Sequence, residues 1–124
     1  YVLTPTTPDL IIMQSTLAFS TTVLDYIRNM KDVPLKDIIF FWNRLKKRTN
    51  VEIYKSYSDV MKELHLTVLD STLPDLCRYE KEITHSKRAF FRCTLLPPPV
   101  KQLEGSGIAE LAEELIVKLQ LVQP

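Results

Sequence analysis

The sequence predicts an all-α fold: a compact domain of about four helices over residues 1–102, with a C-terminal helix packed in a groove. Three observations carry this. The first 102 residues contain no glycine, where ordinary usage would give roughly seven. Tight β-hairpins recruit glycine for their primed turns, so hairpins become improbable. Apolar residues recur at three- and four-residue intervals in several windows, and prolines sit where helices start or stop. A winged-helix-like α+β arrangement is the alternative.

The elements follow in order. "TTPDL" announces a first helix, with Thr7 as cap and Pro8 in its first turn, running to Lys31. Leu10, Met13, Leu17, Leu24 and Ile27 form its apolar face. Pro34 breaks the chain and opens a second helix over 34–48, with Leu35, Ile38, Ile39, Trp42 and Leu45 inward. Its basic end, "RLKKR", complements the helix dipole. Thr49 and Glu52 have capping-box spacing for a third helix over 50–65. "TVLDSTLPDL" is expected as a loop, followed by a fourth helix from about residue 73. "PPPV" at 97–100 ends it and continues as a polyproline spacer.

Both glycines of the chain, Gly105 and Gly107, fall in "LEGSG". A small, flexible stretch of this kind suits a tether, and residues 103–107 are expected to be an engineered linker. Residues 108–124 then form a fused partner peptide, an amphipathic helix with Ile108, Leu111, Leu115, Leu119 and Val122 on one side. The charge supports the division. Residues 1–102 carry 15 Lys plus Arg against 11 Asp plus Glu, a net of +4, whereas 103–124 carry Lys118 against four Glu, a net of −3. Opposite charge steers encounter between the two parts.

Composition bounds the rest. At 124 residues, 45% hydrophobic and 25% charged, the chain is expected to form one globular core. It opens "YVLTPTTPD", without Met or a leader pattern, and reads as an excised segment. No uninterrupted apolar run reaches about 18 residues, so no membrane association is expected. Cys77 and Cys93 are expected as buried free thiols, which with the missing leader points to an intracellular setting, cytoplasm or nucleus.

Chemistry finds no foothold. His65 and His85 belong to no recognisable nucleophile arrangement, and the two cysteines lack zinc-ligand pairing. Phosphate-cradling loops need glycines that the first 102 residues lack. No catalytic residue, metal or cofactor is therefore expected. "FFW" at 40–42 sweeps about 200° of a helix, so one of Phe40 and Phe41 should lie off the inner stripe and be available to a partner. The expected function is non-enzymatic protein–protein interaction, as an adaptor or scaffold domain. Phe40, Phe41, Lys46, Lys47 and Arg48 would offer the domain side of a groove, and the leucine ridge of 108–124 would fill it. The rival is nucleic-acid binding through the basic stretches at 44–48 and 86–92, for which +4 is a weak electrostatic footprint.

Overall fold

The run IIFFWNRL, Ile38–Leu45, is the centre of the computed structural model, and it is a β-strand, β2, whose first five residues are all buried. β-branched and aromatic side chains suit a pleated surface. A strand also resolves the crowding of "FFW", because successive side chains leave on opposite faces. Ile38, Phe40 and Trp42 join one core, and Ile39 and Phe41 join another on the opposite side. The structure describes residues 1–30, 32–46, 51–79 and 98–121.

Two further strands flank β2, β1 (Val2–Thr6) and β3 (Thr67–Pro74), in the order β1-β2-β3 with both pairs parallel. Helix α1 (Leu10–Asn29) joins β1 to β2, and α2 (Val51–Glu63) follows β2 and leads to β3. Each crossover steps to the next strand in the same direction, so crossovers of one hand put both helices on one face. That face holds Met13 and Leu24 of α1, Met61 of α2, and Phe40 and Trp42. The Tyr54 ring meets the Trp42 ring edge-on, with centroids 5.0 Å apart. At the carboxyl end of β1, buried Thr6 donates from Oγ1 to Met13 Sδ. At the start of β2, Asp37 accepts from Ile38 N–H and from Thr67 Oγ1, tying β2 to β3.

The chain then makes a 3₁₀ turn (Cys77–Tyr79), a single-turn helix α3 (Val100–Leu103) and a second long-sided helix α4 (Ile108–Lys118). Helix α4 covers the other sheet face, where Leu111 is buried with Ile39, Phe41 and Leu69, and Leu73, Leu115 and Leu119 pack around them.

The all-α expectation is therefore wrong: the protein is α+β, with a three-stranded parallel sheet and four helices among the described residues. The segment expected as a helix over 34–48 contains β2, and the expected loop "TVLDSTLP" is β3. Missing glycine disfavours primed-turn hairpins, but a parallel pair is joined by a helical crossover that needs none. The winged-helix alternative has the right composition of elements, yet the described strands pair only in parallel, so no hairpin wing lies among them. In place of a fourth helix from residue 73, β3 runs to Pro74 and the 3₁₀ turn follows; residues 80–97 lie outside the described residues. Val100 opens α3 rather than continuing a polyproline spacer. Cys77, expected buried, is exposed on its turn, and Cys93 lies outside the described residues.

Candidate functional site

Three surfaces carry side chains that could act on something else. The first is the contact between α4 and the sheet. Pairing between β2 and β3 slips here: Phe40 is opposite Val68, while Trp42 is opposite Thr72, so four steps along β3 span two along β2. Such a bulge leaves ladder groups unpaired and turns them aside. The N–H groups of consecutive residues Asp70 and Ser71 both donate to Glu114 of α4, at 2.8 Å to Oε1 and 2.7 Å to Oε2. A carboxylate thus takes the donors the bulge releases. Burial opposes ionisation of Glu114, but hydrogen bonds from Ser71 and Asp70 and the charge of Lys118 outweigh it, holding the carboxyl below its usual 4.5.

The entry to α4 is equally specific. Gly105 and Gly107 have φ of 64° and 75°, the left-handed region that glycine tolerates. A side chain at Gly107 would also collide with Thr72 O of β3, whereas at Gly105 there is open space. Ser106 between them is fully buried, and its carbonyl accepts from the Tyr79 hydroxyl. Burial raises the Tyr79 phenol above its ordinary range against the lowering influence of Arg78 and Ser106. Arg78 donates to the carbonyls of Gln102 and Glu104. The glycines therefore have a local structural use, whatever their origin.

The second surface is a crevice at the carboxyl ends of β1 and β2, lined by Thr7, Pro8, Asp9, Ile12, Arg44, Lys46 and Asp75. Open α/β sheets bind ligands at this end of their strands. Its charges balance in number, Arg44 and Lys46 against Asp9 and Asp75, with Arg44 Nε 3.2 Å from Asp75 Oδ1. Asp9 also occupies the amino end of α1, accepting from Ile11 and Ile12 N–H at 3.0 Å each. A crevice of this balance does not select an anion. Among the described residues no group of three or more His, Cys, Asp and Glu could hold a metal ion.

The third surface is the flank of α1 beside β1. Ile12, Phe19, Tyr26 and Met30 are exposed there, with Phe19 70% accessible. By length and composition α1 is apolar enough to cross a membrane, at a mean hydropathy of 1.3, although the sequence shows no uninterrupted apolar run of that length. Its inner side meets the sheet through Met13 and Leu24.

The residues expected at an interaction site distribute as follows. Leu111, Leu115 and Leu119 lie together in the cluster beneath α4, with Phe41 of β2. Phe40 is on the opposite face, fully buried under α1 and α2. Ile108 begins α4 at the Gly107 turn, half-buried, outside that cluster. Lys46 lines the crevice. Lys47, Arg48 and Val122 lie outside the described residues, as do residues 86–92 and His85. From the sequence, Lys or Arg at the groove rim is expected to meet Glu110, Glu113 and Glu114; Glu114 instead accepts from the backbone of Asp70 and Ser71, a meeting that depends on a strand bulge no local pattern announces. Compared with known proteins, the chain matches no family model, no curated protein and no solved structure.

Proposed function

We propose that this chain is a non-enzymatic protein-interaction domain whose second sheet face receives an amphipathic helix, the position α4 holds here. One observation carries the reading: α4 is fastened to β3 by a leucine ridge and by a single carboxylate on two backbone donors. Backbone donors accept any helix that brings an acid at the right spacing from its leucines. Recognition then needs only two things of the partner, an apolar stripe at helical spacing and a glutamate beside it. The net of −3 on residues 103–124 against +4 on residues 1–102 would steer such a helix inward.

The test uses a fluorescent peptide of residues 108–121 and two full-length chains. A Leu111→Asp chain, its own α4 dislodged, should bind the peptide; the wild-type chain, already filled, should bind it at least tenfold more weakly. Equal or absent binding by a Leu111→Asp chain that keeps its far-UV circular dichroism would reject the reading, because α4 would then be core rather than ligand.

A second reading rests on the crevice at the strand ends. Its balanced charges, Asp9 and Asp75 against Arg44 and Lys46, suit a small neutral or zwitterionic polar molecule. Free amino acids, sugars and nucleosides are the probes. Amide shift changes confined to Thr7, Ile12, Arg44 and Lys46 would support it, and none at millimolar ligand would dismiss it.

A further inference from the structure

Helix α4 is entered through a turn that the rest of the chain also grips. Inside the turn, the N–H groups of Gln102, Glu104 and Ser106 donate to the carbonyls of Pro99, Val100 and Leu103. The carbonyls of Gln102, Glu104 and Ser106 are met from elsewhere. Arg78 donates from Nη1 to Gln102 O at 2.5 Å and from Nη2 to Glu104 O at 3.1 Å, and the neighbouring Tyr79 hydroxyl donates to Ser106 O. Two adjacent, half-buried side chains of the 3₁₀ turn thus take alternate carbonyls along the approach to α4.

On both sides of Gly107 the body of the chain donates and the tail accepts. Asp70 and Ser71 N–H give to Glu114, as Arg78 and Tyr79 give to the three carbonyls. Carbonyls belong to any sequence, so Arg78 and Tyr79 read the path of the backbone rather than its side chains. That path is demanding. Gly107 has a φ of 75°, and a Cβ there would collide with Thr72 O. Ser106 is fully buried, and its Oγ accepts from Ile108 N–H at 3.3 Å. Gly105, with a φ of 64°, has open space around it, so asparagine, which tolerates the left-handed region, would serve there.

We propose that Arg78 and Tyr79 are the second anchor of the helix-binding face, and that the partner it fits is an amphipathic helix entered through a left-handed glycine turn. On the reading of α4 as a docked helix, on which this rests, the partner narrows to a short signature. A small residue and a glycine are followed by leucine four places on, glutamate three further and leucine beside it, as Ser106, Gly107, Leu111, Glu114 and Leu115 stand here. The anchor has a physical use. Helix α4 has 11 residues, whereas isolated helices shorter than about 12–15 residues are marginal in water. Fixing the turn ahead of Ile108 offsets part of the nucleation cost, so the anchor raises affinity by preorganising the helix.

Fluorescent peptides of residues 108–121 and 100–121 test this on a full-length chain carrying Gly107→Val and Leu111→Asp, which expel its own turn and helix. The longer peptide should bind at least tenfold more tightly, and adding Arg78→Ala and Tyr79→Phe to the receptor should remove that gain. Gly107→Asn in the longer peptide should remove it too, whereas Gly105→Asn should keep it, because only the first side chain strikes Thr72 O. Equal affinity for the two peptides overturns the second anchor and leaves the docked helix standing. Binding of neither, by a receptor that keeps its far-UV circular dichroism, overturns both. The intact chain supplies a check that needs no expelled tail: Tyr79→Phe should speed amide exchange at Ser106 and Ile108 at least tenfold, and unchanged exchange at both overturns the proposal.

Discussion

Helices α1 and α4 carry apolar stripes of the same kind, and among the described residues only that of α4 is packed against the sheet along its ridge. On α4, Leu111, Leu115 and Leu119 lie against Ile39, Phe41 and Leu69. On α1, Phe19, Tyr26 and Met30 face outward beside the sheet edge, while a different set, Met13 and Leu24, meets the core. The difference teaches that helical spacing marks which side chains share a surface and says nothing of what lies over it. Cover follows topology: α4 packs on residues of both β2 and β3, whereas this flank of α1 lies on the β1 side of the described sheet.

Substitutions at matched positions sharpen that contrast, beginning with the largest effect. Replacing Leu111 by Asp sets a carboxylate against Ile39 and Phe41, and should lower unfolding stability by about 3 to 4 kcal/mol in urea denaturation. Gly107→Ala comes next. Its Cβ would collide with Thr72 O and its φ of 75° is strained for alanine, so about 2 kcal/mol should be lost, against about 1 kcal/mol for Gly105→Ala, where there is room. Equal effects at the two glycines would mean that the turn does not press on β3.

Glu114→Gln should cost about 1 kcal/mol, the modest worth of a charge-assisted contact at a half-exposed site. It also carries a pH signature. A carboxyl whose pKa is lowered by folding contributes stability that is present above the unfolded value of 4.5 and is lost as pH falls through the lower folded value. The wild type should therefore lose this part of its stability on acidification below about 4.5, and the Gln variant should show a smaller acid loss. The smallest effect is expected on the bare stripe. Phe19→Asp should move stability by less than about 0.5 kcal/mol, because the side chain is 70% accessible.

Much of the helical part of the fold was legible. The first helix was expected from Pro8 to Lys31, and α1 spans Leu10–Asn29 with Asp9 rather than Thr7 accepting its first N–H groups. Residues 50–65 contain α2, and the tail helix begins at Ile108 as its pattern implied. The strands were hidden for a physical reason. A parallel strand buried on both faces reads as a continuous apolar run, and "IIFFW" lacks the alternation that marks a half-buried strand. β3 was hidden differently: Asp70, Ser71 and Pro74 are turn-forming residue types, and only the pairing of their segment with β2 makes it a strand. Of the candidate site, the leucine ridge was visible in its spacing. The Glu114 clamp was not, because a glutamate on a helix surface looks the same whether it meets water or a pair of backbone amides.

Amide hydrogen exchange at Asp70 and Ser71, compared between wild type and Leu115→Asp, tests most directly whether α4 is a helix docked on an independently folded sheet. The account predicts slow exchange at both amides in the wild type and fast exchange in the variant, with Phe40 and Trp42 of β2 still protected. Protection lost equally across β2 and β3, or kept at Asp70 and Ser71 in the variant, would contradict it.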